Sequence, residues 1–179
     1  MFNSRRARWI IALVLSSALI QGCSTVNVSD YAAERPTLDF QAYFNGPIKA
    51  WGIVQDRSGK VIKRFTVDID ARWSGDVGTL DESFVYADGT KQNRVWTVTK
   101  RGSGRYIGTA PDVVGEAAGE TAGNALRWRY VLAVPVDGKT YNLDLDDWMF
   151  LMSDRVLLNR TKMTKFGFDV GEITITFTR

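Results

Sequence analysis

Residues 61–73 alternate without a break. Val61, Lys63, Phe65, Val67, Ile69, Ala71 and Trp73 fall in one phase, apolar except for Lys63, while Arg64, Thr66, Asp68, Asp70 and Arg72 fall in the other. Side chains on a strand point to opposite faces at every step, so this pattern demands a strand with one dry and one wet face. The same rhythm returns in Leu126, Trp128, Tyr130, Leu132 and Val134 against Arg127 and Arg129. It returns again in Tyr141, Leu143 and Leu145 against Asn142, Asp144 and Asp146, and in Ile173, Ile175 and Phe177 against Thr174, Thr176 and Thr178.

Turn chemistry separates these runs. Arg57-Ser58-Gly59-Lys60, Ser74-Gly75-Asp76, Ala87-Asp88-Gly89, Arg101-Gly102-Ser103-Gly104, Asp137-Gly138 and Val170-Gly171 all suit tight hairpins. The spacing predicts about ten strands, near 48–56, 61–73, 78–87, 91–100, 104–109, 125–136, 139–146, 148–158, 161–169 and 172–178. No pattern long enough for a three-turn helix lies between them, which argues against an α/β fold. The expected fold class is all-β: an antiparallel up-and-down, lipocalin-like barrel of about eight to ten strands, favoured over a sandwich because every long strand keeps a polar face and closure removes exposed edges. One stretch breaks the rhythm. Residues 108–124 hold Gly115, Gly119 and Gly123 with Ala117, Ala118 and Ala122, too little apolar bulk for a core strand, and read as a flap or short helix over one barrel end.

The start of the chain carries a different signal. Arg5, Arg6 and Arg8 precede an apolar run from Trp9 to Ile20, closed by Gln21-Gly22-Cys23-Ser24. Twelve residues are too few for a permanent span, which needs roughly twenty. Charged start, short apolar run and small residue before the cysteine fit a lipoprotein signal peptide over residues 1–22, with Cys23 the acylated N-terminus. Residues 23–37 then read as the lipidated end and a short tether, and residues 38–179 as one β-barrel domain. Removing the three signal arginines from the 23 basic residues leaves 20 basic against 20 acidic, so the apparent excess of +3 disappears. No basic stripe remains for nucleic acid, which is excluded as a partner.

Residue types missing from the chain exclude more chemistry. There is one cysteine and no histidine. With Cys23 acylated, no thiol is left for a disulfide or a nucleophile, and the usual zinc ligand and triad base are absent. Neither catalytic residue, metal nor cofactor is expected. Carboxylate chemistry alone stays open, and Glu82, in phase with Leu80, Phe84 and Tyr86, is the best inward carboxylate. Asp144, Asp146 and Asp147 lack the glycine-turn spacing of a calcium loop and read as a solvated face. Arg127 and Arg129 read as cross-strand partners of surface carboxylates.

The aromatics leave two readings. Trp51, Trp73, Trp96, Trp128 and Trp148, with Phe65, Phe84, Tyr130, Phe150 and Phe166, either line a cavity for an apolar ligand or fill a solid core. If there is a cavity, the expected ligand-binding residues are Trp51, Phe65, Trp73, Glu82, Phe84, Trp128 and Tyr130.

Through Lys49-Ala50-Trp51-Gly52, Trp73-Ser74-Gly75 and Asn124-Ala125-Leu126-Arg127-Trp128-Arg129-Tyr130, the chain resembles a family of bacterial outer-membrane lipoproteins grouped under a domain of unknown function. The resemblance covers nearly all of residues 23–179. Members are often encoded near genes for fatty-acid modification and photo-oxidative stress, which implies a connection to envelope lipid and carries no activity. Ser24 after the cysteine resembles the pattern sorted to the outer membrane, with palmitate among the acyl chains. The expected location is therefore the periplasmic face of the outer membrane. The expected role is a lipid-anchored module that binds an apolar or lipid-like molecule; the alternative is an envelope protein with a solid core that docks another protein.

Overall fold

The computed structural model describes residues 25–179; the expected signal peptide over residues 1–22 and the expected lipidation site, Cys23, lie outside them. Ten strands run in sequence: β1 (Gly46–Asp56), β2 (Val61–Ser74), β3 (Val77–Tyr86), β4 (Lys91–Lys100), β5 (Arg105–Thr109), β6 (Val113–Ala122), β7 (Ala125–Val136), β8 (Lys139–Leu151), β9 (Val156–Lys165) and β10 (Phe168–Thr178). Each pairs antiparallel with its neighbours in sequence, and β1 pairs with β10 from Lys49 opposite Thr178 to Asp56 opposite Gly171. The result is a closed up-and-down barrel with no free edge. All ten strands fall within residues 25–179, so the barrel satisfies its backbone without any other part of the chain.

Along β2 the burial follows the alternation, with Phe65, Val67, Ile69 and Ala71 buried and Arg64, Thr66, Asp68, Asp70 and Arg72 exposed. The outer wall is charged: Lys49 pairs with Asp68 across β1 and β2 at 3.0 Å, with both side chains more than half exposed. Water, not lipid, suits that surface.

The strand count matches the sequence reading because one strand read as two offsets one that was missed, and the boundaries after Lys139 differ. Residues 139–151 form one strand where two were expected, and β9 starts at Val156. The expected flap over 108–124 is instead the end of β5, a turn and the full-length strand β6. Its small residues have a packing reason. A Cβ at Gly119 would fall 2.0 Å from the Trp128 ring, and one at Gly108 would fall 2.5 Å from it. β5 and β6 are bare where the indole lies against them, and the bulk that seemed missing is supplied by β7. The register of β6 on β7 shifts between Val114 and Ala118, around Gly115 at φ +74°. That bulge also hides the period-two pattern.

The last expected turn is misplaced too. Val170-Gly171 marks a register shift in β10, and the hairpin turns at Phe166-Gly167.

One end of the barrel is plugged. A four-residue helix, α1 (Phe40–Tyr43), begins at Asp39, whose Oδ1 accepts from the Ala42 amide at 3.0 Å. It carries Phe40, Tyr43 and the following Phe44 into the barrel, all buried. Phe40 packs on Phe44 at 4.6 Å between ring centroids, on Tyr106 at 5.0 Å, and parallel to Trp128 at 6.2 Å. Trp73 fastens the plug from the side, its indole N–H donating to the Phe44 carbonyl at 2.7 Å.

Residues leading into the plug are not a free tether. A 3-10 turn at Val28–Tyr31 lies against β6 and β7. Tyr31 sits edge-on against Trp148 at 5.7 Å and Phe150 at 5.2 Å, and the Leu38 amide donates to the Gly123 carbonyl at 2.8 Å. This strap covers two aromatics that β8 turns outward.

Candidate functional site

The other end is open. The chain reverses there at 57–60, 87–90, 110–112, 137–138 and 166–167, and the strands between these turns splay around a cavity of about 780 Å³. Its floor is the aromatic plug, with Phe40, Phe44, Trp96, Trp128 and Val98 at its base. Leu132, Val134, Leu143 and Ile173 line the upper wall, and Ile62, Lys63, Gln92, Tyr141 and Lys165 form the rim. Of the two readings of the aromatics, the structure supports the hollow barrel. This volume lies within the usual range for small-molecule sites, ~300 to 1,000 Å³.

Phe65, Glu82, Phe84, Trp128 and Tyr130 all line this cavity. Trp51 does not. It is 46% exposed on the outer face of β1, because Ile48, Ala50 and Gly52 take the inward phase. The phase of its neighbours was the available signal. Gly52 is bare for the same reason as Gly119: a Cβ there would lie 2.2 Å from the Phe65 ring. Trp73 packs beside the plug, below the cavity. Among the remaining aromatics, Trp96 faces inward, Trp148 and Phe150 lie under the strap, and Phe166 is 86% exposed at a hairpin tip.

At mid-depth the apolar wall is interrupted by charge. Glu82 on β3 stands opposite Arg94 on β4, in register. The Arg94 guanidinium turns to Asp112, in the turn after β5, through Nε at 3.0 Å and Nη2 at 2.7 Å. Its Nη1 reaches Glu82 Oε2 only at 3.8 Å. Across the cavity Asp147 accepts from the Asn159 side-chain amide, and Thr161 donates to Asn159 at 3.4 Å. Asp147 therefore departs from the expected solvated face. β8 keeps its alternation through Leu143, Leu145, Asp147 and Met149, so Asp147 is carried inward while Asp144 and Asp146 stay out. Asp146 is held on the outer surface by Arg127, through Nε at 2.6 Å and Nη2 at 2.9 Å, as the cross-strand reading expected.

Burial governs the protonation of this belt. It pushes the Glu82 carboxyl up to about 7, against the pull of Arg94, with Asp112 and Asp81 adding to the rise. It pushes Asp147 up to about 7 too, against the hydrogen bonds from Asn159 and Thr161. Tyr130 rises far above the ordinary phenol range for the same reason, helped by the negative charge of Asp147. Burial alone would weaken the hold of Arg94 on its proton; Glu82 and Asp112 outweigh it, and the guanidinium stays charged. Near neutral pH the belt thus has one fixed cation and two carboxyls poised between their forms.

Arg94, Asp112, Asn159 and Thr161 were missed by reading the sequence. Arg94 and Thr161 were in phase with inward neighbours, but an arginine and a threonine on a strand read as surface. Asp112 lies in a turn, where no periodicity assigns a direction.

Residues 17–179 match the family described as Protein of unknown function (DUF3833). The chain belongs to this family. No curated protein sequence matches the chain. The DUF3833 barrel is similar in structure to a DUF3598-family protein of unknown function from Nostoc punctiforme PCC 73102, with a TM-score of 0.59 at 15% identity. That match covers 82% of this chain and 51% of the other, so the DUF3833 chain spans about half the length of its neighbour. It is also similar to the S-type phycobiliprotein lyase CPES of Guillardia theta, with a TM-score of 0.57 at 8% identity, covering 86% of this chain and 98% of that one. At these identities the likeness is one of fold, and that fold is the lipocalin-like barrel.

Proposed function

We propose that this DUF3833 protein binds a small apolar molecule inside its barrel and performs no chemistry on it. The observation that carries this reading is the cavity of about 780 Å³, closed at one end by the aromatic plug and open at the other. Phe65, Phe84, Trp128 and Tyr130 supply apolar contact area, and Glu82 supplies a polar anchor. Burying apolar ligand surface at ~25 cal/mol per Å² is ample to drive uptake into such a space. The sequence of residues 1–24 supports a location for this activity: a lipoprotein held by acyl chains on Cys23 at the periplasmic face of the outer membrane, where its ligand is a molecule of the envelope.

The test is native mass spectrometry of residues 25–179 recovered from a bacterial periplasm, followed by organic extraction. A retained apolar adduct supports the reading and names the ligand class. Apo protein that also fails to take up any of a panel of envelope lipids and apolar dyes overturns it, and leaves docking to an envelope protein as the alternative.

A further inference from the structure

Among the described residues three carboxyls face or flank the cavity, Glu82, Asp112 and Asp147, against the single guanidinium of Arg94. Asp112 already occupies that guanidinium with two short contacts. Glu82 is left at 3.8 Å from it, and among the described residues Asp147 has only the Asn159 amide and the Thr161 hydroxyl beside it, with no cationic partner. The mid-depth wall therefore carries two more acidic groups than basic ones. Lys63 and Lys165 do not redress this. They sit at the rim, over the rings of Tyr86 at 5.4 Å and Tyr141 at 3.8 Å.

Between Glu82 and Asp147 the wall is aromatic. Phe84, Trp96, Trp128 and Tyr130 all border the cavity there, with Trp96 edge-on to Trp128 at 5.9 Å and to Tyr130 at 5.4 Å. Acidic groups in excess of their counter-charge, set among aromatic faces in a desolvated space, form the chemistry that receives a cation. An anion brought to this depth meets uncompensated carboxyls, and a neutral group leaves them to be neutralised by protons alone. The apo protein resolves the excess by holding those protons; a cationic ligand replaces them.

We propose that the cavity takes a molecule whose apolar body carries a protonated amine or other cationic nitrogen, received by Glu82 and Asp147. This inference rests on the ligand-binding reading above and specifies the charge of what binds.

The experiment uses three fluorescent probes built on one pyrene ring, carrying a methylammonium, a methyl or a carboxylate group. Each is titrated into residues 25–179 at neutral pH. The ammonium probe is expected to bind at least about 10-fold tighter than the methyl probe, and the carboxylate probe more weakly than either. Glu82→Gln with Asp147→Asn should bring the ammonium probe to within about threefold of the methyl probe titrated into the same variant. If the double variant fails to fold by circular dichroism, Asp147→Asn alone serves, with a partial loss of the same preference. A carboxylate or methyl probe binding as tightly as the ammonium probe overturns the inference, as does a preference that survives loss of both carboxyls. Binding without charge preference leaves the ligand-binding reading standing; failure of all three probes, together with the absence of any adduct in the native mass spectrum, removes that reading as well.

Discussion

The two ends of this barrel are made from the same meander and differ in what fills them. At the plugged end the chain enters through Leu38, Phe40, Tyr43 and Phe44, and those side chains complete a core in which Trp128, Tyr106, Leu126 and Leu157 are buried. Tyr43 secures it, its hydroxyl within 3.1 Å of the Arg155 carbonyl and 3.2 Å of the Phe177 carbonyl. At the open end no segment of the described residues enters. Phe166 and Phe168, 86% and 77% exposed, stand outside the wall, and Leu132, Val134, Leu143 and Leu145 of β7 and β8 line the cavity. Cohesion is concentrated at one end and binding space at the other, so changes at each should register in different measurements.

The largest effect is expected at the plug. Phe40→Ala removes a ring that contacts Phe44, Tyr106, Trp73 and Trp128, and should cost about 3–5 kcal/mol in urea unfolding. A loss below about 1 kcal/mol would mean that the plug is not part of the cooperative core. The converse change is made near the mouth, where Val134→Trp puts an indole into the opening. Uptake of a neutral apolar dye should fall by at least about 10-fold while the unfolding midpoint barely moves, because the site is under-packed to begin with. Equal damage to stability and uptake would erase the division between the ends.

The belt between the ends gives a pH signature. Glu82 and Asp147 each titrate near 7 when folded, above their ordinary values of 4.5 and 3.8. For carboxyls raised in this way, the stability they allow is fully present below about pH 4 and is lost as pH rises through about 7. The thermal midpoint should therefore decline between pH 5 and pH 8, opposite to ordinary acid denaturation, and Glu82→Gln with Asp147→Asn should flatten the decline. A midpoint that rises over this interval would show that the belt is hydrated and ionised throughout.

The smallest effect lies at the rim. Asp137-Gly138 and Phe166-Gly167 make equivalent two-residue hairpins with positive φ at both positions, 49° and 75° in the first, 52° and 81° in the second. Aspartate accepts that conformation easily and phenylalanine does not. Phe166→Asn should stabilise the barrel by several tenths to about 1 kcal/mol by chemical unfolding. Destabilisation instead would show that the ring makes a contact worth more than its backbone strain.

The same hairpin shows where local reading fails. Turn chemistry at Asp137-Gly138 was legible; at Phe166-Gly167 an aromatic occupies a position that normally advertises itself with asparagine, aspartate or glycine, and the turn was assigned to Val170-Gly171 instead. β6 was lost for a related reason. Its Gly119 is bare because Trp128, opposite it on β7, is large, a complementarity across paired strands that β6 read alone does not show. Of the site, Phe65, Glu82, Phe84, Trp128 and Tyr130 were found because each shares the phase of apolar neighbours. Asp147 also shared that phase, but it was grouped with its acidic neighbours in sequence.

By itself the sequence determined most of the strands, though not β6, and which face of the long ones is dry, and hence that the chain forms an all-β barrel with a charged outer wall. Period-two alternation is a local property, and each face follows from the residues on either side. Only the tertiary structure decided that the barrel is hollow, that one end is plugged by the segment before β1, and that Glu82, Arg94, Asp112 and Asp147 converge at mid-depth. These depend on how far the inward side chains reach across the space that closure encloses, and on which distant residues the strand register brings opposite one another.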